Sequence, residues 1–250
     1  MTGKFATRPV VVTGASGFIA RAVVDELRTR GIPVLAAARS AISPKPGVVI
    51  VRTDDYADLP VPYGSTIIHL AGEARIAAAN RLGAAHVASE TALARNICAH
   101  RESRIVYGSS VQVYGDSRNE LHSPDTATLG TTPYCEAKLA AERLVCSSGG
   151  VAARLSNVYG PGMSATLISD ILAQIPASGP LRILDAGSRR DFLWLDDAAR
   201  GLVDMALSVP SGIFNLASGT AHSAAEVARL ALSVALECDR PLEVSRADKE

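Results

Sequence analysis

The 250-residue sequence lacks any run of eighteen predominantly apolar residues, so no transmembrane helix and no membrane partner are expected. It also lacks an excess of either charge, because 25 basic residues balance 25 acidic ones. A nucleic-acid partner, which requires a basic surface, is therefore not expected. The residues before Val10 have too little apolar length for a signal peptide. We expect a cytoplasmic protein.

Cysteine and histidine are scarce and scattered. The four cysteines lie at positions 98, 135, 146 and 238, a spacing that matches no zinc pattern. Disulfides are not expected in a protein that is not secreted. None of the five histidines pairs with a second ligand at metal spacing, so no metal site is expected.

Short β-branched runs alternate along the chain with longer amphipathic segments. This alternation predicts an α/β fold in which a doubly wound parallel sheet is covered by helices on both faces. Gly and Pro at 159–163 interrupt the pattern, which predicts a large domain over residues 8–160 and a small part over 161–250, interleaved with the core. The predicted strands are 10–13, 34–38, 48–51, 66–70, 104–107, 151–155 and 181–184, and the predicted helices are 17–30, 84–100, 133–147, 166–175, 197–207 and 224–236.

A glycine-containing turn, Thr13-Gly-Ala-Ser-Gly-Phe-Ile-Ala20, lies between the first predicted strand and the first helix. Gly14 permits a turn closed to larger residues, and Gly17 lets a pyrophosphate approach the helix N-terminus. The spacing alone is weak, because an ordinary strand–turn–helix connection can have it. Its position after the first strand favours a dinucleotide site, so residues 8–160 are interpreted as a Rossmann-type NAD(P)-binding domain.

The end of the second predicted strand bears on which dinucleotide binds. NAD sites usually place a carboxylate there for the ribose 2′-hydroxyl, but this strand ends at Ala38 and Arg39 without an acid. Arg39 would pair with a 2′-phosphate and so favours NADP; NAD, with Arg39 merely solvated, is the alternative. Asp54, after the third strand, is placed either to accept from the adenine amino group or to form a turn with Asp55.

Tyr134 and Lys138 open a predicted helix four residues apart, which places both side chains on one face. A free phenol titrates near about pH 10, so it is a poor base at neutral pH. A neighbouring ammonium stabilises the phenolate and suits the pair to general acid–base catalysis. Ser110 follows the fifth predicted strand, at the sheet edge where such folds bind ligands. A chance surface pair and a serine-rich loop are the alternatives.

Together these residues resemble the extended short-chain dehydrogenase/reductase family, in its NAD(P)-dependent nucleotide-sugar epimerase/dehydratase branch. The resemblance covers most of the chain, from residue 8 to residue 240, and several motifs in the family's order are more specific than any one of them. The matching segments are 13–19, 69–72, 109–115, 133–138, 154–161, 190–192 with Asp197, and 214–219.

The resemblance implies roles for individual residues. It implies that Tyr134 is the acid or base, that Lys138 tunes it and anchors a ribose, and that Ser110 holds the reacting oxygen. Asn157 and Arg190 are implied substrate contacts, with Arg190 on a nucleotide phosphate unless it pairs with a neighbouring aspartate. Cofactor contacts are implied at Gly14, Ser16, Gly17, Phe18, Ile19, Arg39, Asp54, Leu70, Ala71, Gly72, Tyr134 and Lys138.

Two departures from the family pattern bear on the reaction. The 4,6-dehydratases of this branch carry an Asp-Glu pair after the serine or threonine of the site, whereas Val111 and Gln112 stand there in this sequence. Neither residue can protonate a leaving group or remove a proton, so a dehydratase is not expected. Family members also commonly continue well beyond position 250, so part of the usual sugar-nucleotide pocket is expected to be absent or reduced.

The expected function is oxidoreduction of a carbonyl or hydroxyl on a sugar-like substrate, expected to be a nucleotide sugar, by a 4-ketoreductase that uses NADPH. An epimerase that returns hydride to the opposite face, and a reductase of small non-nucleotide carbonyls, are the alternatives. A non-catalytic NADP-binding sensor is disfavoured because Ser110, Tyr134 and Lys138 are all retained. We expect a homodimer through predicted helices 84–100 and 133–147, with Glu142 on the solvated side of the second.

Overall fold

The computed structural model describes residues 8–115, 121–163, 166–184 and 186–245. The chain divides into two compact units, the first up to Leu155 together with Leu195–Leu216, the second Ser156–Trp194 together with the part from Ala217 onward. The strands are β1 (Val10–Thr13), β2 (Val34–Ala38), β3 (Val48–Arg52), β4 (Thr66–His69), β5 (Arg104–Ser110), β6 (Val151–Leu155), β7 (Asn157–Tyr159), β8 (Leu181–Leu184), β9 (Arg189–Trp194), β10 (Gly212–Leu216), β11 (Ala221–Ser223) and β12 (Leu242–Ser245).

The helices have apolar faces that pack on these strands or on one another. No helix in the described part of the chain combines the length and the apolar character that a membrane crossing needs. A short 3-10 turn, Val111–Tyr114, directly follows β5. The α-helices are α1 (Phe18–Thr29), α2 (Ile76–Leu82), α3 (Ala84–Cys98), α4 (Pro133–Ser147), α5 (Leu167–Gln174), α6 (Leu195–Ser208) and α7 (Ala224–Val234).

The first unit is built on a parallel sheet of seven strands in the order β10-β6-β5-β4-β1-β2-β3. Strands β1, β2 and β6 are buried along their whole length, as parallel strands covered on both faces must be. The chain runs outward from β1 through β2 to β3 and then returns to the other side of β1 as β4. This confirms the predicted doubly wound sheet, and it places a switch point, where such sheets bind ligands, between β1 and β4.

Two helix pairs flank this sheet. Helix α1 packs against α6, and α3 packs against α4. The apolar side chains of α1 that are buried recur every three or four residues, which is the spacing of one helix face. Residues from β4, β5, α3 and α4 share one core, which includes Ile67, Ile97, Ile105, Tyr107 and Val145.

The second unit has a smaller core of its own. Strand β9 pairs in parallel with β7 and antiparallel with β11, and β8 pairs with β12. Helices α5 and α7 pack over β8, whose Leu181 and Ile183 are buried. The crossover after Leu155 lies near the predicted division at residue 160, and Leu195–Leu216 return to the first unit. That the later part binds substrate stays a prediction.

Candidate active site

The turn between β1 and α1 forms a cradle of backbone groups. Gly14 has a φ of +66°, and a Cβ at this position would lie 2.6 Å from the carbonyl oxygen of Leu70. Only glycine meets both demands. The N–H of Gly17 donates to Gly14 O at 2.7 Å, and no described side chain caps the start of α1. The cradle therefore fits a pyrophosphate, which free N–H groups and the helix dipole favour; the half-buried Ser16, Phe18 and Ile19 complete the turn.

His69 joins β1 to β4 where both strands end. Its Nδ1 lies 2.7 Å from Oγ1 of Thr13, and that oxygen already accepts from the N–H of Leu70 at 3.3 Å. Because that oxygen can accept a second hydrogen bond, the direction of its bond with Nδ1 depends on the tautomer of the ring. Burial lowers the pKa of His69 to about 3, and the charge of Lys138 contributes in the same direction. The pair fixes the backbone of Leu70, Ala71 and Gly72 beside the glycine turn.

Arg39 is exposed at the end of β2, and its guanidinium forms no ion pair within the described chain. Its backbone oxygen accepts from Nε of Arg52 at 3.1 Å. A cavity of about 190 Å³ lies between the glycine turn and the segment after β2. Ser16, Arg21 and Lys45 are among its lining residues. These cationic and hydroxyl groups suit a phosphate.

Asp54 is exposed after β3, and its neighbour shapes the turn. The carboxylate of Asp55 accepts from the N–H of Ala57 at 2.8 Å and from the amide of Asn96 at 3.2 Å. The carboxylate of Asp54 makes no hydrogen bond to another described residue. Its side chain therefore does not form the turn, which was one of the two alternatives. A contact with adenine stays its proposed role.

Helix α4 holds the tyrosine–lysine pair. Thr132 caps the helix by accepting from the N–H of Cys135, and Pro133 starts it. Tyr134 and Lys138 are both buried, and the Lys138 ammonium lies 5.7 Å from the centre of the Tyr134 ring. Lys138 also donates to Gly108 O at 3.0 Å, two residues before Ser110. The structure thus brings the pair and the end of β5 together.

The charge of Lys138 is held by its neighbours. Burial alone would lower the pKa of its ammonium, but Tyr107, Tyr134 and Glu90 outweigh burial and raise the pKa above its ordinary value. Lys138 is therefore protonated at neutral pH. Burial raises the pKa of Tyr107 to about 12, so this phenol stays neutral beside the ammonium.

Ser110 ends β5 with an extended backbone and a nearly buried side chain. Its Oγ accepts from the N–H of Gln112 at 3.2 Å, which starts the 3-10 turn. The hydroxyl hydrogen is donated to no described residue, so it is available to an oxygen of a ligand. Val111 and Gln112 follow in that turn, half-buried and exposed respectively.

Two polar residues of α3 face this site and were missed in the sequence. His86 is buried, its Nε2 has no hydrogen-bond partner in the described chain, and its ring is parallel to that of Tyr134 at 6.4 Å. The buried carboxylate of Glu90 lies against Gly72 and accepts from the N–H of Glu73 at 3.2 Å. The four-residue spacing of His86 and Glu90 within a predicted helix was the available signal.

Asn157 and Arg190 lie in the second unit, on β7 and β9. The Asn157 amide donates to the backbone oxygen of Asp191 at 2.9 Å. Arg190 is exposed and forms no ion pair with a described aspartate. The carboxylate of Asp191 instead accepts from the N–H groups of Ser218 and Gly219, at 2.9 and 2.7 Å. Among the described residues, no group of three histidine, cysteine or carboxylate side chains is arranged to hold a metal ion.

Known proteins share both the sequence pattern and the architecture. Over residues 10–217 the chain matches the NAD dependent epimerase/dehydratase family. The ADP-L-glycero-D-manno-heptose-6-epimerase of Brachyspira hyodysenteriae is 26% identical, over 88% of this chain and 79% of that protein.

Solved structures superpose on nearly the whole chain. MoeE5, solved with UDP-glucose and NAD, is 27% identical with a TM-score of 0.80, covering 96% of this chain and 85% of MoeE5. The UDP-N-acetylglucosamine 4-epimerase of Bacillus cereus is 22% identical with a TM-score of 0.80, over 96% of this chain and 86% of the other, and shows the shared fold. The chain belongs to the NAD dependent epimerase/dehydratase family.

Proposed function

We propose that the protein is a nucleotide-sugar epimerase that oxidises and re-reduces one carbon of its substrate with a bound NAD(P). The observation that carries the proposal is the hydrogen bond from Lys138, which shares a helix face with Tyr134, to Gly108 O near the end of β5, where Ser110 lies, beside a glycine cradle for the cofactor. Relatives named as epimerases support this reaction over the 4-ketoreductase that the sequence favoured. The named ligand of MoeE5 supports a nucleotide sugar as substrate.

Three residues act on the substrate hydroxyl: Tyr134 and Lys138 on its proton, and Ser110 on its oxygen. A nicotinamide held beside Tyr134 and Lys138 would supply the hydride chemistry, which is removal of hydride from a substrate carbon and its return to the opposite face. Tyr134 Oη accepts the proton of the substrate hydroxyl and later gives it back. The ammonium of Lys138 stabilises the phenolate form of Tyr134, which exists before the proton is taken and again after it is returned. Ser110 donates a hydrogen bond to the same substrate oxygen, and so holds it while it is a ketone.

The cofactor contacts are proposed on the same elements. Gly14, Ser16, Gly17, Phe18 and Ile19 would hold the pyrophosphate at the start of α1, and Leu70, Ala71 and Gly72 would flank it. Asp54 would accept from the adenine, and Lys138 would anchor a ribose. Asn157 and Arg190 stay proposed substrate contacts.

NADP is the dinucleotide that we propose. Arg39 ends β2 without a carboxylate partner, and the cavity beside the glycine turn is lined by Ser16, Arg21 and Lys45. The 2′-phosphate of NADP is an anion and would pair with these cationic side chains. Lys45 is already paired with Asp25 at 2.6 Å, so the proposed preference for NADP rests mainly on Arg39 and Arg21.

Dehydration is disfavoured by the turn after Ser110. Val111 and Gln112 occupy the two positions where the 4,6-dehydratases have their acid and base, and neither side chain transfers protons. A dehydratase would need both groups from elsewhere in the site. Without that pair, we propose that Ser110, Tyr134 and Lys138 serve transfer of hydride and of the hydroxyl proton without elimination of water.

A 4-ketoreductase is the second candidate, and Arg39 is the observation that favours it, because cells keep NADP largely reduced. The two reactions differ in what happens to the cofactor. The purified protein should be incubated with a panel of nucleotide sugars and with 4-keto-sugar nucleotides plus NADPH. The proposal predicts a new epimer by chromatography with no net change in absorbance at 340 nm. Stoichiometric loss of that absorbance with a keto sugar would instead establish the reductase.

A further inference from the structure

The first unit contains an ion pair that takes no part in the proposed reaction. Glu142 of α4 and Arg154 of β6 are each only 3% exposed. Arg154 holds the carboxylate with two nitrogens, Nε on Oε1 at 3.0 Å and Nη2 on Oε2 at 2.8 Å. The predicted solvated position of Glu142 is therefore wrong, because this carboxylate faces the sheet rather than solvent.

Glu142 connects α4 to the strand that ends in Ser110. Tyr134, Lys138 and Glu142 follow one another at intervals of four residues, so they share one face of α4. That face is attached to two successive residues of β5. Lys138 donates to Gly108 O at 3.0 Å, and Ser109 Oγ donates to the Glu142 carboxylate at 2.5 Å. The two bonds set the register between helix and strand.

Arg154 holds the same carboxylate from the neighbouring strand. It stands opposite Ser109 in the pairing of β5 with β6. Its guanidinium lies 4.9 Å from the centre of the Tyr114 ring, in the 3-10 turn that follows Ser110. Nη1 also donates to Pro124 O at 3.1 Å. Arg154 is thus connected to the residues on both sides of Ser110 in sequence, to Ser109 through the shared Glu142 carboxylate and directly to Tyr114.

A buried ion pair is weak evidence for stability, because desolvation of both charges offsets their attraction and an apolar pair often replaces them without loss. The placement of this pair suggests another use. We infer that Glu142 and Arg154 are positioning residues, which lock α4 on β5 and thereby fix the separation of Tyr134 from Ser110. This inference rests on the proposed function for the roles of those two residues.

A direct test replaces the pair by an apolar one, Glu142→Leu with Arg154→Leu. The double variant should bind NAD(P) and unfold no earlier than the parent, since neither charge is left unpaired. Its kcat should fall at least about tenfold with KM within about threefold, because a misplacement of about 1 Å between catalytic groups costs up to about 10²-fold in rate. A folded double variant with parental kcat would overturn the inference.

A single substitution keeps the inference testable if the double variant does not fold. Ser109→Ala removes only the bond from β5 to Glu142 and leaves the ion pair in place. Its matched control is Ser65→Ala. Ser65 is a fully buried serine just before β4, at the amino ends of the strands, and its Oγ has no hydrogen-bond partner in the described chain. Ser109→Ala should lower kcat with KM held, and the control should keep the parental kcat. Equal kcat values for the two variants would contradict a positioning role.

Crystal structures separate this inference from the proposed function. In Ser109→Ala the distance from Ser110 Oγ to Tyr134 Oη should change by about 0.5 Å or more relative to the parent, a shift of the size that disturbs catalytic geometry. An unchanged distance refutes the positioning role whatever reaction the protein performs. Absence of epimerase activity in the parent refutes the proposed function while the distance still decides the role of the pair.

Discussion

At the scale of single residues, Tyr134 carries the proton of the proposed reaction, and its removal gives the first prediction. Tyr134→Phe deletes only the hydroxyl, so kcat should fall by about 10²–10⁴-fold while NAD(P) affinity is kept. Lys138→Met should lower both kcat and cofactor affinity, and the two losses should not add in the double variant. Steady-state kinetics and cofactor titration measure these effects. A kcat for Tyr134→Phe within about threefold of the parent would assign the proton to another group.

Arg39 gives the second prediction, on cofactor choice. Arg39→Ala should weaken NADP binding by about ten- to hundredfold, the equivalent of about 1.5–3 kcal/mol for one charged hydrogen bond, and leave NAD binding unchanged. Titration of both dinucleotides into parent and variant measures this. Arg101→Ala, an exposed arginine before β5, is the control and should change neither affinity. Tighter binding of NAD than NADP by the parent would remove the NADP assignment.

His69 gives the third prediction, on acid stability. Its folded pKa of about 3 lies below the ordinary value of 6.5, so below pH 6.5 the unfolded chain binds a proton that the folded chain does not. Protonation of this group in the unfolded chain should therefore lower the free energy of unfolding by about 1.6 kcal/mol between pH 6.5 and 5, with a slope that approaches about 1.4 kcal/mol per pH unit at the lower pH. Urea unfolding at the two pH values measures the loss. In His69→Asn, the fall in the free energy of unfolding between the two pH values should be smaller than in the parent by that amount. An equal fall in parent and variant would mean that His69 is not the group responsible.

Residues with a local signature were predictable from the sequence, and residues defined by tertiary contacts were not. Tyr134 and Lys138 are four apart on one helix, so their meeting follows from helix geometry. Glu142 lies on the same helix, but its burial depends on Arg154 of β6 and Ser109 of β5. No spacing along the chain encodes those contacts, and a lone glutamate on a helix is normally solvated.

At the scale of elements, the glycine turn gives the fourth prediction. Gly14 and Gly31 both have positive φ, +66° and +68°, but only a Cβ at Gly14 would meet another residue. Gly31→Ala should therefore cost about 1–2 kcal/mol of stability through backbone strain alone. Gly14→Ala should cost more and should also abolish cofactor binding, because the turn must move away from Leu70. Chemical unfolding and NAD(P) titration of both variants compare them, and normal cofactor affinity in Gly14→Ala would argue against the cradle.

Elements with strong periodicity were predicted closely. Helix α4 and strands β2 and β8 have the predicted bounds, because capping and apolar runs mark them locally. Strands β7, β9, β10, β11 and β12 were not predicted. They are three to six residues long and are mostly half-buried or exposed, so their identity depends on the partner strand rather than on their own pattern.

At the scale of the whole molecule, association is the fifth prediction. Helix α3 exposes small side chains, Ala85, Ala88 and Ala92, along one face, which permits close approach of another helix. We expect a dimer through α3 and α4, with light scattering near twice the chain mass of 26.0 kDa. Ala88→Arg should shift the value to that of one chain. A parent that scatters as a single chain at micromolar concentration would contradict the dimer.

The fold was predictable as a class, whereas the reaction was not. Alternating strands and helices sufficed for a doubly wound parallel sheet, because few topologies satisfy that order, although one of its seven strands, β10, was not predicted. The same sheet and the same three residues can serve an epimerase or a reductase. The choice between these reactions depends on groups that come together only when substrate is bound.

In the proposed reaction, hydride leaves one substrate carbon and returns to it, while Tyr134 transfers only the hydroxyl proton. Turnover of the active nucleotide sugar in D₂O tests it most directly, with mass spectrometry of the epimer after its exchangeable positions are returned to H₂O. We expect an epimer with no carbon-bound deuterium, since the transferred hydrogen never exchanges with solvent. An epimer that carries one carbon-bound deuterium would show that a carbon-bound hydrogen is exchanged as a proton instead, and would contradict hydride transfer.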